Sequence, residues 1–406
     1  MKLLSSRLDP VTASASAAVS QAAQAAIARG EDVIDLGLGE PDFDTPDHII
    51  RAAHEAALAG QTRYTPTAGT TALRRAVVEK FRRENALDYG IDEVVISNGA
   101  KQILFNAMMA TLEEGTEVIL CAPYFGSYKD IVLILGGTPV VIECRAKDNF
   151  LPHPDALERA ITPRTRWIIL NLPSNPAGAV CSEKELHALG DVMRRNPEVL
   201  ILSDEIYEHI LFDGNMFKSF AAINGDLKNR TLTVNGVSKA YAMTGWRIGY
   251  GAGPRELVTG MIKVQSQISS GACSVAQAAA TAALNGPQDD VRRFRDAFEA
   301  RRDLVVRRVA DIEGLTLAPP GGAFYGYIGC AALIGARTPD GAVIDSDINL
   351  TAYLLSSAGV AVVPGSAYEL SPYFRISTAA SEAVLAVAMD RIADTVARLE
   401  LKERAS

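Results

Sequence analysis

Short runs rich in Val, Ile and Leu recur through the first part of the chain, at residues 93–97, 117–120, 139–142, 167–170, 199–202 and 231–234. Stretches with helical spacing of apolar positions lie between most of them, for example 101–112 and 183–194. Strands that are apolar on both faces and separated by helices indicate a sheet covered on both sides. The pattern therefore predicts an α/β fold with a mainly parallel sheet. Ahead of it, the alanine-rich stretch 12–29 ends at Gly30 and reads as a helix with a glycine stop. The apolar run 32–36 then closes on a glycine-proline loop at 37–42, a strand followed by a turn. Beyond the alternating region come a long charged helix near 289–312, strand-like runs at 321–325, 359–363 and 374–377, and a closing helix over 380–399. These form a second, smaller α+β unit, with the polar stretch 334–347 as a surface loop.

Composition narrows the classes. The 406 residues are 48% hydrophobic and 22% charged, ordinary for a globular chain with a large core. The net charge of −8, with no basic block, argues against nucleic acid as a partner. Five scattered cysteines, none in a C-x-x-C pair, suit reduced thiols, and five scattered histidines suggest no metal site. No signal-peptide layout and no apolar stretch of about 20 residues is present, so a cytoplasmic location and no membrane contact are expected.

In open α/β sheets, ligands bind where strands end. The chemically unusual residues of this chain sit at such points. The run 93–97 is followed by Asn98-Gly-Ala-Lys-Gln102 entering a helix, where small residues let backbone N–H groups approach a phosphate. After 167–170 comes the loop Asn171-Leu-Pro-Ser-Asn-Pro-Ala-Gly178. After 199–202 come two adjacent acids in Ser203-Asp-Glu-Ile-Tyr207; a carboxylate at that depth needs a partner, which a cationic ring nitrogen or an arginine elsewhere would supply. After 231–234, Lys239 stands among small residues, where desolvation would lower its pKa, and Arg247 follows as a phosphate fork. Each feature alone has an ordinary structural reading, as a turn, a Pro/Gly loop or a solvated lysine. Together they are the parts that pyridoxal 5′-phosphate (PLP) requires.

Read together, the motifs resemble fold-type I PLP enzymes, the aspartate aminotransferase superfamily. The resemblance runs from Gly39-Glu-Pro-Asp-Phe-Asp-Thr-Pro46 through Tyr64-Thr-Pro and Ser203-Asp-Glu-Ile-Tyr207 to Ser238-Lys-Ala-Tyr-Ala-Met-Thr-Gly-Trp-Arg-Ile-Gly249 and Phe374-Arg-Ile-Ser377. Within the superfamily the chain is similar to a bacterial and archaeal branch of aspartate aminotransferases, some of which accept prephenate.

The resemblance implies a large cofactor domain over 46–287, with 1–45 as an arm joined to the small domain and 288–406 as the rest of that domain. It implies that Lys239 holds PLP as a Schiff base and later moves the proton. Asp204 would pair with the ring nitrogen, Tyr207 and Asn175 with the ring hydroxyl, and Phe125 would stack on the ring. Gly99, Ala100, Lys101 and Arg247 would surround the phosphate, together with Tyr64 of a second subunit in a homodimer with shared sites, and Ser238 would also bind the cofactor. Gly39, Lys101, Asn175 and Arg375 would bind substrate, Arg375 gripping the α-carboxylate and Lys101 a distal one. The expected reaction is ping-pong amino transfer between aspartate, or a related amino acid, and 2-oxoglutarate.

Some positions depart from the branch pattern. Phe125 stands for a tryptophan, Ala177 for a threonine, and Ser270-Gly271-Ala272 for a Ser-Asn-Pro run; residues 10–16 match loosely. All surround the place of the substrate's distal group. An aromatic or prephenate-type substrate, or a β-lyase reaction, is therefore the alternative. A ligand-sensing domain is disfavoured because Lys239, Asp204 and Arg375 are all present. A dinucleotide loop at Gly249-Tyr-Gly-Ala-Gly253 is disfavoured because Pro254 stands where a glycine is needed.

Overall fold

The computed structural model describes residues 3–11 and 14–401. Among the described residues twelve strands run in chain order: β1 (Ile34–Asp35), β2 (Val94–Ser97), β3 (Glu117–Ala122), β4 (Thr138–Glu143), β5 (Thr165–Asn171), β6 (Leu200–Asp204), β7 (Thr231–Gly236), β8 (Gly249–Ala252), β9 (Tyr325–Gly329), β10 (Val360–Ala361), β11 (Val363–Pro364) and β12 (Tyr373–Ser377). Seven of them form one sheet in the order β2-β8-β7-β6-β5-β3-β4. The pairs from β7 through β4 are parallel, and β8 runs antiparallel to both neighbours. The fold is α/β with a mainly parallel large sheet, as the periodicity predicts.

Alternation within the strands explains why their sequences are uniformly apolar. Val118 and Leu120 of β3 enter one core with Ile103, Leu104 and Met108 of the helix Ala100–Thr111. Ile119, between them, enters another core with Leu186 and Leu189 of the helix Glu183–Arg195. Both faces are therefore dry, and each fully buried aliphatic side chain stabilises the fold by about 1.5–3 kcal/mol. The helix Glu183–Arg195 begins on a capping box between Ser182 and Glu185, which satisfies its first N–H groups.

Strand β8 is absent from the sequence reading, which treats Gly249–Gly253 only as a rejected nucleotide loop. Its sequence Gly-Tyr-Gly-Ala carries no apolar run. The glycines have a packing reason: a Cβ at Gly249 would overlap the Ala100 backbone, and one at Gly251 would press on Ile103. Their absence of side chains lets the Ala100–Thr111 helix lie directly on β8 and β2.

The remaining strands form two small sheets, β1-β10 and β11-β12-β9. Parallel pairing of β1 with β10 ties the N-terminal segment to the C-terminal part of the chain. The strand expected at 321–325 begins only at Tyr325, because residues 321–324 turn through a loop with Ala323 at φ +57°. The long charged helix spans Asp289–Ala310 and the closing helix Glu382–Val396. Their apolar sides meet β9 and β12 in a separate core that includes Val305, Val309, Ile328, Phe374, Leu385 and Met389. The first helix covers Ala15–Ala28; residues 12 and 13, where it was expected to start, lie outside the described residues.

Candidate active site

The carboxyl ends of β2, β5, β6 and β7 meet the N-terminal segment and β12 around a cleft of about 380 Å³. A larger groove of about 460 Å³ opens behind the 174–181 loop, but Lys239, Asp204 and Arg375 line the smaller one. Gly39, Ala100, Lys101, Phe125, Asn175, Tyr207, Ser238 and Arg247 line it as well. Gly99 adjoins it, since a Cβ there would overlap the Arg247 guanidinium. Tyr64 is the exception. Its ring is 97% exposed and stands away from the cleft. The altered loop lies beside it: Thr65 Oγ1 donates to the Ala272 carbonyl at 3.3 Å, and a Cβ at Gly271 would overlap Thr65.

Asp204 ends β6 opposite Asn171 of β5, so strand register places it at the mouth of the sheet. It is buried, its Oδ2 accepts from the Tyr128 hydroxyl at 2.7 Å, and its Oδ1 from the Ile206 N–H at 3.3 Å. Burial pushes its pKa up to about 6, against the opposing pull of those hydrogen bonds and of Lys239. Among the described residues the carboxylate thus has no cation in contact, and a cationic N–H in the cleft would complete it.

Lys239 follows the end of β7. Its Nζ donates to the Gly39 carbonyl at 2.6 Å. Burial, with the positive charges of Arg375 and Arg247, lowers its pKa to about 8, against the pull of Glu40 and Asp204. The lowered pKa gives this amine a larger neutral fraction than an ordinary lysine has, which favours it as a nucleophile and base.

Arg375 of β12 is buried, with Nη1 donating to Asn175 Oδ1 at 3.0 Å and Nη2 to the Gly37 carbonyl and to Ser16 Oγ. Among the described residues its Nε has no partner and no carboxylate pairs with it. A buried guanidinium without an anion is costly, so the site fits an incoming carboxylate. At the other end of the cleft, Gly99 offers no side-chain cap to the helix Ala100–Thr111, and Arg247 packs against that glycine. An uncapped helix start beside a guanidinium fits a phosphate. Lys101 Nζ stands 5.1 Å from the Phe125 ring centre.

The family described as aminotransferase class I and II matches residues 31–392. The chain belongs to this family. The aminotransferase is 53% identical over 394 residues to the aspartate aminotransferase of Rhizobium meliloti (strain 1021), covering 97% of this chain and 96% of that one. It is 50% identical over 392 residues to the aspartate/prephenate aminotransferase of Cereibacter sphaeroides, covering 97% and 98%. A crystal structure of the Rhizobium meliloti aspartate aminotransferase superposes with a TM-score of 0.96 at 52% identity, over 98% of this chain and all of that one. The Thermus thermophilus aspartate aminotransferase with maleate superposes with a TM-score of 0.90 at 40% identity, over 97% and 100%. The aminotransferase thus has the fold expected from its motifs.

Sequence reasoning missed several lining groups, among them Tyr128, Tyr325 and Ser16. Tyr128 reaches Asp204 from the helix Ser127–Ile134, Tyr325 meets the Tyr207 hydroxyl at 2.7 Å, and Ser16 touches Arg375. Tyr325 opens β9 at the end of a run read as a strand, but nothing local marks a tyrosine as facing a site. Among the described residues, no helix is long and apolar enough to cross a membrane.

Proposed function

We propose that this aminotransferase uses PLP to move the amino group of aspartate, or a related dicarboxylic amino acid, to 2-oxoglutarate by a ping-pong route. The observation that carries the reading is the complementarity of one cleft: a phosphate-type cradle at Gly99 and Arg247, an uncompensated acid at Asp204, an unpaired guanidinium at Arg375 and a depressed-pKa amine at Lys239. These residues fit PLP in charge and in order along the cleft.

When bound, PLP supplies a ring that accepts the electrons released at the substrate's Cα. The chain does the rest. Gly99, Ala100, Lys101, Ser238 and Arg247 hold the phosphate end, with Tyr64 of a second subunit, and Phe125 faces the ring. Asp204 would hold a proton on the ring nitrogen, and Tyr207 and Asn175 would donate toward the ring hydroxyl. Arg375, with Gly39 and Asn175 beside it, binds the α-carboxylate through its unpaired side and fixes the Cα–H bond toward Lys239. Lys239 Nζ is the base that takes the Cα proton. Lys101 binds the distal carboxylate, a role consistent with the dicarboxylate maleate in the Thermus relative.

The same reading makes the enzyme a cytoplasmic homodimer, supported by the outward-facing Tyr64 ring and by cysteines that are all free. It divides the chain into 1–45 with 288–406 around 46–287, supported by the β1–β10 pairing. Prephenate is the second substrate reading, favoured by the name of the Cereibacter relative. The test is a half-reaction panel in which the PLP form is mixed with aspartate, glutamate, phenylalanine, alanine or cysteine sulfinate. Rapid spectral conversion by aspartate and glutamate is expected; conversion by phenylalanine alone would reject the dicarboxylic assignment.

A further inference from the structure

Tyr325 opens β9, and the antiparallel register sets Tyr325 opposite Ser377 and Tyr327 opposite Arg375. Tyr325 and Arg375 are therefore diagonal neighbours on one face of the small sheet. The Tyr325 ring centre lies 4.5 Å from the Arg375 guanidinium carbon, within cation–π range. Its hydroxyl lies 2.7 Å from the Tyr207 hydroxyl, and both side chains are buried. On the remaining side Gly39 closes in, since a Cβ there would overlap the Tyr325 oxygen. One side chain thus touches the carboxylate-binding arginine, the tyrosine beside the ring site, and the glycine whose carbonyl holds Lys239.

Proton counting gives the contact a direction. Each hydroxyl has one proton to donate and can also accept. Among the described residues, the Tyr325 hydroxyl has Tyr207 as its hydrogen-bond partner. If Tyr207 were the donor, the Tyr325 proton would have no protein acceptor among the described residues, an arrangement buried hydroxyls avoid. If Tyr325 is the donor, its proton is satisfied and the Tyr207 proton is free to point into the cleft. We propose that Tyr325 is a positioning residue with two separable duties: its hydroxyl donates to Tyr207 and thereby aims the Tyr207 proton at the cofactor's ring oxygen, while its ring supports the Arg375 guanidinium. The proposal rests on the PLP reading of the cleft and goes beyond it.

The experiment uses the holoenzyme and two readouts that do not depend on turnover. One is the pH midpoint of the bound pyridoxal absorbance; the other is the dissociation constant of maleate, a non-reacting dicarboxylate. A proton aimed at the ring oxygen stabilises its negative form and lowers that midpoint, so weakening the aim raises it. Tyr325→Phe keeps the ring and should raise the midpoint by roughly half a unit to one unit, with maleate affinity within about twofold of wild type. Tyr325→Leu should raise the midpoint equally and also weaken maleate about 3- to 30-fold. A Tyr325→Phe midpoint equal to wild type overturns the hydroxyl duty, and unchanged maleate binding in Tyr325→Leu overturns the ring duty. Should Tyr325→Leu not fold, Tyr325→Trp keeps an aromatic face, and maleate binding as tight as wild type is expected once the hydroxyl is gone. Loss of that binding would overturn the ring duty. A wild-type protein that takes up no pyridoxal chromophore rejects the cofactor reading itself, an outcome distinct from either.

Discussion

Two buried charge clusters share the stretch 204–209, and they are closed in opposite ways. On one side, Glu208 accepts from Lys80 and from Asn85 Nδ2 at 2.5 Å, and Lys80 Nζ also donates to Asn85 Oδ1 at 2.7 Å. His209 Nε2 lies 3.0 Å from Glu84 Oε2, and Lys80 is 3.6 Å from the same carboxylate oxygen. Burial alone would raise the Glu208 pKa, but the Lys80 and His209 charges and these hydrogen bonds hold it below its ordinary value. On the other side, Asp204 has only neutral donors, Lys239 has a carbonyl and Arg375 has no carboxylate. A charge cluster completed by the chain fastens the fold. One left incomplete is a place for something else to bind.

Glu205 shows that adjacency in sequence does not decide the side. Its Oε1 accepts from Ser203 Oγ at 2.8 Å and Ser219 Oγ at 2.7 Å, inside the protein and away from the cleft. Burial, with the neighbouring Glu208 charge, pushes its pKa up to about 8, so it is largely protonated at neutral pH.

Breaking the open cluster should cost chemistry, and breaking the closed one should cost stability. The largest effect is expected for Lys239→Ala, which removes the proposed base and should slow the aspartate half-reaction by up to about 10⁴-fold. Its melting temperature should stay within a few degrees of the cofactor-free wild type. Near-normal transamination by this variant would end the assignment of the cleft. Lys80→Met should do the reverse, leaving Glu208 buried without its cation and lowering unfolding free energy by about 3–5 kcal/mol. Equilibrium denaturation at fixed protein concentration measures this, and the folded fraction should keep its turnover.

Arg375→Ala should raise KM for aspartate, glutamate and alanine together, by about 30- to 1,000-fold, because all three present the same α-carboxylate. Lys101→Ala sharpens the comparison within the cleft. It should raise KM about tenfold for the dicarboxylic amino acids and spare alanine; equal losses would remove the reason for naming them. The smallest effect belongs to Glu205. A carboxyl whose folded pKa lies above its unfolded value holds more protons in the native state, so its stabilisation declines as pH rises from about 4.5 towards 8. Glu205→Gln should remove on the order of 1 kcal/mol of that decline between pH 6 and 8, read from denaturation curves at the two pH values.

Much of the site was legible because it is local. Asn98–Lys101, Asp204, Tyr207 and Lys239 each lie at or just beyond the end of a strand whose apolar run is plain in the sequence, and those ends converge by the nature of the fold. Strand β8 was missed because its glycines serve close helix packing and carry no hydrophobic signal. Tyr128 and Tyr325 were missed because an aromatic in an apolar stretch reads as core whether or not its hydroxyl faces a cleft.

What the sequence determined by itself was the alternation of strand and helix, the positions of the strand ends and the identities of the reactive groups. These follow from side-chain period and from chemistry carried by single residues. What the tertiary structure decided was who partners whom. Lys80 meets Glu208 from 128 residues away, Arg375 meets Asn175 from 200, and Tyr64 faces outward, away from its own chain's cleft. No local pattern could settle those pairings, because a buried charge states only that it needs a partner. Packing of distant elements determines whether the chain supplies that partner or leaves the place open.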